Sequence, residues 1–213
     1  IAVKNGEKNI KRLLDGLLNQ TYEGNMEFVI VNDNSTDNTK EIIQEYSKRD
    51  PRFKYISSNK GSQSLNHKKK ALDAGIRSSQ YEYLLFTDID CIIHPKWVKS
   101  MAACFSENID YIIGLTYVND NRTILNKFQC IDLFMLLFAS YASVCLSTPW
   151  ASSGQNQAYT KTLYKNLNGF ESIAQYLQGD DTLFLQLALN SGAKVVFSDS
   201  SDSYVISRTE KTW

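Results

Sequence analysis

The chain has 213 residues, is 43% hydrophobic, and sets 23 Lys and Arg against 23 Asp and Glu. That length supports one well-buried core, so residues 1–213 read as a single domain. A net charge of zero excludes any global attraction to nucleic acid or to an anionic membrane, so an anionic ligand must be held by local charge.

Residues 1–3 form an apolar fragment directly before Lys4-Asn5-Gly6, as though a strand were cut partway along, and the chain stops as abruptly at Lys211-Thr212-Trp213. The expectation is an excised core, truncated at both ends, with no leader preceding it. Ile10, Leu13, Leu14, Leu17 and Leu18 then follow the i, i+3, i+4, i+7, i+8 spacing of a helix with one apolar face. Residues 28–31, Phe-Val-Ile-Val, predict a buried strand that runs into Asn32-Asp33-Asn34-Ser35-Thr36-Asp37. Ser35 or Thr36 can cap the next helix, which carries Ile42, Ile43 and Tyr46. A turn and a helix cap account for Ser35, Thr36 and Asp37 but leave Asp33 over. An acid at the C-terminal end of a strand can accept from a base N–H or a ribose hydroxyl. A calcium-loop reading fails, because the sixth and twelfth positions are Asn38 and Gln44 instead of Gly and Glu.

Residues 53–56 predict a third strand, and a Lys-rich helix over about 64–76 carries Lys68-Lys69-Lys70. Such a run is usually a solvated face, although a lysine near a helix start can contact phosphate. Residues 81–91, YEYLLFTDIDC, follow. The apolar run reads as a strand buried on both faces and ends in Asp88 and Asp90. In an extended segment those two side chains point the same way, so each raises the cost of ionising the other. A divalent cation with a preference for oxygen removes that cost, and the plainer alternative is one capping acid and one solvated acid.

Beyond this point the alternation of strand and helix fades. Residues 110–118 predict a strand, residues 124–146 a long helix, residues 152–157 a polar segment, and residues 193–197 a closing strand. The apolar stretch 128–146 contains Gln129, Asp132, Ser140 and Ser143, so a helix packed on the core or lying at a membrane interface is expected in preference to a membrane span. Gly179-Asp180-Asp181-Thr182 opens a further helix. One acid there suits the helix dipole, and the spare carboxylate is a candidate general base. The four cysteines, Cys91, Cys104, Cys130 and Cys145, lack CxxC spacing and lie in apolar segments, which predicts reduced, buried thiols in a cytoplasmic setting. The pattern as a whole predicts an α/β fold with a Rossmann-like, mostly parallel central sheet and helices on both faces.

Taken in order, VKNGEKNI, VIVNDNSTDNT, HKKKALDAGI, YLLFTDIDC and GDDTLFLQLAL resemble the family 2 glycosyltransferases of the GT-A fold over nearly the whole chain. The resemblance implies an inverting transferase that moves a sugar from a nucleotide-diphosphate donor to an acceptor hydroxyl. It places this reaction in cell-envelope polysaccharide or glycolipid synthesis. Asp33 then matches the acid at the nucleotide base, with Asn5 and Glu7 in the loop beside the nucleoside. Asp90 and Asp88 match the DxD pair, Asp90 as ligand of Mn2+ or Mg2+ and Asp88 at the ribose or the metal. Lys68 and Lys69 fall where phosphate contacts occur, although His67 stands in place of a glycine. Asp181 matches the catalytic base in the pair Asp180-Asp181, and Gly154, Gln155 and Asn156 match the acceptor side. The implied partners are a nucleotide-sugar donor and a saccharide or lipid-linked acceptor, with no nucleic acid. The implied location is the cytoplasmic face of a membrane, possible anchors lying outside the chain. Residues 208–213 resemble the segment ahead of a QxxRW-like motif that the chain does not contain. Two other readings are a non-catalytic nucleotide-binding module with this fold and a phosphotransferase with an Asp nucleophile. The latter expects its acids near the N-terminus and a Thr or Val where Ile92 stands.

Overall fold

The computed structural model describes residues 1–105, 108–118 and 123–207, so residues 208–213 and their expected motif context lie outside the described residues. The first half runs β1 (Ala2–Val3), α1 (Ile10–Leu18), β2 (Phe28–Asn32), α2 (Thr39–Arg49), β3 (Phe53–Ser57), α3 (His67–Ser78) and β4 (Tyr83–Phe86). β2 lies between β1 and β3, both parallel to it, with Ala2 opposite Val31 and Phe28 opposite Phe53.

Side chains alternate across a strand, and β2 uses both faces. Phe28 and Ile30 join the core under α1 and α2, where Ile10, Leu13, Leu14 and Leu17 are buried as their spacing predicts. Val29 and Val31 face Ala71 and Ala74 of α3 on the other side. Gly75 lets α3 approach closely, since a Cβ there would lie 3.0 Å from Val31. The cap expected from Ser35 or Thr36 is not used: α2 begins at Thr39, whose N–H is accepted by Asp37 Oδ1 at 3.1 Å.

The second half contains β5 (Ile92–Ile93), α4 (Trp97–Ala103), β6 (Tyr111–Gly114), β7 (Thr116–Val118), α5 (Ile124–Cys145), β8 (Gln157–Thr160), α6 (Lys161–Asn166), α7 (Thr182–Asn190), β9 (Val195–Ser198) and β10 (Val205–Ser207). The strand predicted over 110–118 is two strands. β6 belongs to a four-stranded sheet ordered β4-β8-β6-β9, whereas β7 pairs with β10 in a small sheet ordered β5-β10-β7. β8 is antiparallel to both β4 and β6, and β6 is parallel to β9. β4, β6 and β9 therefore point the same way, and their C-terminal ends share one edge with the start of β8. Phe86, Tyr111, Tyr159, Tyr164, Phe170 and Phe184 fill the core beneath this sheet, with Phe86 and Tyr159 stacked at 4.4 Å.

α5 matches its expected length and lies along β7 and β9, yet only Asn126, Leu137 and Ser140 are buried on it. All four cysteines are free. Cys91 is buried and Cys104 and Cys130 are half-buried, but Cys145, the last residue of α5, is exposed, contrary to the expectation of four buried thiols.

Candidate active site

The DID pair does not sit on an extended segment. β4 ends at Phe86, and residues 88–91 form a turn closed by the Cys91 N–H donating to Asp88 O at 3.2 Å. Proximity of the two carboxylates thus follows from the turn instead of from strand periodicity. Arg12 reaches from α1 to donate to Asp90 O at 2.9 Å, a brace that nothing in the sequence pattern signalled. Burial raises the pKa of Asp88 above its ordinary value; Lys68 opposes this, and Asp90 and Asp180 add to it. Burial, with Asp90 and Asp88 adding, also pushes the Cys91 thiol up to about 12, which leaves it inert as a nucleophile.

Lys68 is the hub of the site. Its Nζ donates to Asp88 Oδ1 at 2.9 Å and stands 3.4 Å from Asp180 Oδ2. Burial pulls the ammonium pKa down, but Asp88 and Asp180 outweigh it and hold Lys68 above its ordinary value. One consequence is testable without any ligand. In the free chain the Asp88 carboxyl titrates above the usual aspartate value of about 3.9, because its ionised form is the one that burial penalises. Removing the opposing cation in Lys68→Met moves that titration further up. A carboxyl-carbon NMR titration reads both shifts, and an Asp88 midpoint that falls in the variant contradicts the assignment.

The two acids at the start of α7 differ in environment. Asp180 is 7% exposed; its Oδ2 accepts no hydrogen bond and meets Lys68 only at ion-pair distance, while its carbonyl accepts from Gln157 Nε2 at 3.3 Å. Asp181 is half-buried. It caps α7, with Oδ1 accepting from the Thr182 N–H at 2.6 Å, and Oδ2 accepts from the Gly154 N–H at 3.2 Å. Each carboxylate oxygen has a second lone pair, so Asp181 can still accept a proton from a ligand. Asp181 is the more exposed of the two acids, whereas Asp180, expected beside it as a catalytic acid, is buried against Lys68. Ser152 and Thr182 exchange hydrogen bonds at 3.2 and 3.1 Å, zipping the 150–157 loop to the start of α7.

Several residues expected at the ligand serve the scaffold. Lys69 is 2% exposed and donates to the carbonyls of Tyr176 and of Gln178, the latter at 3.2 Å. It holds the loop ahead of Gly179-Asp180-Asp181 and cannot also contact a donor phosphate. Lys69→Met leaves those carbonyls without their ammonium, at a cost of about 1–3 kcal/mol. The melting temperature should fall by about 2–4 °C per kcal/mol, and kcat should fall while donor affinity holds. An unchanged melting temperature in calorimetry would remove Lys69 from this role.

Asn156 is fully buried. Its Oδ1 accepts from Trp97 Nε1 at 2.9 Å, and its Nδ2 donates to Leu115 O and Ser203 O at 2.8 Å each, so it braces α4, the β6–β7 junction and the loop before β10 and does not face an acceptor. A Cβ on Gly114 would lie 2.3 Å from Asn156 Cγ. Gly114→Ala is therefore expected to destabilise by about 1–3 kcal/mol through overpacking, and a denaturant midpoint equal to that of the wild type would count against this brace. Gln155 extends to Ser207, its Nε2 donating to Oγ at 2.8 Å.

Asn5 and Glu7 latch the loop after β1 to the loop after β2. Asn5, at φ +52°, donates its N–H to Ser35 Oγ at 2.9 Å and accepts from the Thr36 N–H at 2.8 Å. Glu7 accepts from Asn38 Nδ2 at 2.7 Å. Asp33 lies at the end of β2, half-buried, with its N–H donated to Val3 O at 2.7 Å. No hydrogen bond or ion pair holds its carboxylate among the described residues. The latch therefore ties together the two loops next to Asp33 and leaves the Asp33 carboxylate open.

The sequence pattern makes Asp88 and Asp90 a candidate cation site. Among the described residues no group of three or more His, Cys, Asp or Glu side chains could hold a metal ion by itself. The Asp90 carboxylate has no partner among the described residues, and Asp88 shares its own with Lys68. Two carboxylates fit a cation that takes its remaining oxygens from water and a bound diphosphate, which is how magnesium is commonly held.

A sequence model described as "Glycosyl transferase family 2" matches residues 1–203. Among curated relatives, the "Putative glycosyltransferase EpsH" of Bacillus subtilis (strain 168) is 36% identical over 114 residues, 53% of this chain and 31% of the relative. The "Poly-beta-1,6-N-acetyl-D-glucosamine synthase" of Staphylococcus epidermidis is 31% identical over 135 residues, 62% of this chain and 31% of the relative. The chain spans about a third of the length of these relatives. Among solved structures, the mannosyltransferase PcManGT from Pyrobaculum calidifontis, in complex with GDP-Man and Mn2+, superimposes with a TM-score of 0.73 at 18% identity, covering 99% of this chain and 56% of its own. S. aureus TarS 1-349 in complex with UDP gives 0.68 at 20% identity, covering 98% and 59%.

Proposed function

Because the chain belongs to glycosyl transferase family 2 and has the GT-A fold, we propose that it transfers a sugar, with inversion, from a nucleotide-diphosphate donor to an acceptor hydroxyl. The observation that carries this reading is the convergence of Lys68, Asp88, Asp180 and the Gly154–Asp181 contact at one sheet edge. Asp33, at the end of β2, is like Asp90 an acid with an open carboxylate among the described residues.

Asp33 accepts hydrogen bonds from the nucleoside, beside the loops that the Asn5 and Glu7 latch holds together. Asp90, with Asp88, would hold a divalent cation, which when bound supplies positive charge to the departing group. Lys68 adds a fixed cation at the same edge and keeps Asp88 and Asp180 from repelling each other. Asp181 takes the proton from the acceptor hydroxyl as that oxygen attacks the anomeric carbon from the face opposite the leaving diphosphate. The Gly154 N–H and the cap to Thr182 fix the Asp181 carboxylate for this task. The whole protein acts, in this reading, in cell-envelope polysaccharide or glycolipid synthesis at the cytoplasmic face of a membrane, a reading supported by its similarity to a poly-beta-1,6-N-acetyl-D-glucosamine synthase.

A thermal-shift screen of nucleotide sugars with Mn2+ or Mg2+ tests the proposal. A ligand that binds only the native state at about 100 times its Kd adds about 2.7 kcal/mol of stability, and a donor of one nucleotide class should raise the melting temperature only when cation is present. A screen in which no nucleotide sugar moves the transition with either cation contradicts it.

A further inference from the structure

Helix α5 is inside out for a helix on the surface of a water-soluble domain. Asn126 and Ser140 face inward and are buried together with Leu137, whereas Ile124, Phe128, Ile131, Phe134, Met135 and Phe138 are between 57% and 86% exposed, and the charged Lys127 and Asp132 are exposed beside them. A surface helix in water shows the opposite arrangement. The helix is about 33 Å long at 1.5 Å per residue, and exposed rows of this size mark interaction surfaces. Between α5 and the ends of β7 and β9 lies an apolar groove of about 510 Å3, with walls that include Val118, Ile131, Phe138, Tyr141 and Phe197.

We propose that this face docks the domain on a lipid bilayer, with α5 lying in the plane of the interface and the groove receiving a hydrocarbon chain of a membrane lipid. Three observations favour lipid over a protein partner. The helix carries only two charged residues, Lys127 and Asp132, so it lacks the flanking charge pattern by which helices select a protein partner and register. The groove has the volume of a small-molecule site and is too small for a second helix about 10 Å across. Its position is the third observation, since β9 ends at the same sheet edge as β4, the edge that carries Asp88. α5 is also tied to the site: Ser140 Oγ donates to Ala151 O at 2.6 Å, one residue before the Ser152–Thr182 zip and three before the Gly154–Asp181 contact. A lipid lodged in the groove would present its polar end at the edge where Asp181 stands. The docking deepens the membrane location in the proposed function and rests on that part of it, but not on the transfer chemistry.

The test is flotation of the chain with neutral phosphatidylcholine vesicles, without donor or cation, so its outcome is separate from that of the donor screen. The chain should float with the vesicles equally at low and high salt, because burial of apolar surface and not charge drives the association. Phe128→Ser combined with Phe138→Ser should lower partitioning by at least about tenfold, with the melting temperature of the lipid-free chain retained. Should that pair unfold, Ile124→Asn at the exposed start of the helix should weaken flotation in a folded chain. Absence of flotation overturns the proposal. So does a self-association, seen by sedimentation equilibrium and lost in the same variants, because a second copy would then cover the face.

Discussion

Asp181→Asn is expected to cut kcat by about 10²–10⁴-fold, the range that a positioned general base supplies, while donor affinity stays close to that of the unaltered chain. The carboxamide keeps the shape of the side chain and an oxygen able to cap α7, where Asp181 Oδ1 accepts from the Thr182 N–H. Its nitrogen cannot accept the Gly154 N–H that Oδ2 now accepts, so a small loss of stability accompanies the loss of turnover. Steady-state kinetics separate the two effects: kcat collapses and the KM for donor holds. Asp180→Asn provides the control. Its carboxylate is buried against Lys68, so the variant should disturb stability and donor binding more than it disturbs proton transfer. If Asp181→Asn retains turnover and Asp180→Asn loses it, the roles given to the two acids are reversed. If the unaltered chain binds donor and never turns it over, the non-catalytic reading holds.

Asp90→Ala is expected to remove the divalent-dependent part of donor binding, with transfer falling by about 10²–10³-fold, the size of losing one charge-stabilising group. The reasoning is electrostatic. Asp88 already shares its carboxylate with Lys68 at 2.9 Å, so Asp90 is the acid available to a cation without first breaking an ion pair. Its loss leaves Asp88, whose carboxylate is already shared with Lys68, as the one acid of the turn left to hold a cation. Calorimetric affinity for a nucleotide sugar that is unchanged by Asp90→Ala, with cation present, would eliminate Asp90 as the metal acid.

Much of this was legible in the sequence because apolar period and burial coincide. α1, α2, β2 and β3 were read from Leu, Ile, Val and Phe spacing, and those residues form the core around the parallel strands. Strand β8 was not legible, since Gln157 and Thr160 bound it and a buried strand is expected to be apolar. Gln157 is tolerated there because Ser152 Oγ, at 3.1 Å, and the Tyr111 hydroxyl both donate to its Oε1. The break between β6 and β7 was hidden for a related reason: residues 111–118 are uniformly strand-like, and only the close approach of Asn156 to Gly114 shows where the chain leaves one sheet for another. Within the site, the acids at element ends were legible as candidates, but their division of labour was not. Lys68 and Lys69 are adjacent in sequence, yet one meets Asp88 and the other is buried beneath the 176–178 loop. Asn156 lies beside Gly154 and Gln155 and is fully buried. A polar side chain reports its chemistry in sequence but not the face on which that chemistry is used.

In the function proposed here, Asp33, the Asp88–Asp90 turn and Asp181 form one site for a nucleotide diphosphate. Calorimetric titration of the chain with UDP and with GDP, in Mn2+ and again after chelation by EDTA, tests it most directly. One nucleotide should bind in Mn2+, and chelation should weaken its binding at least about tenfold, as expected when a cation joins two carboxylates to the diphosphate. Binding of neither nucleotide, or equal affinity with and without the cation, would contradict it.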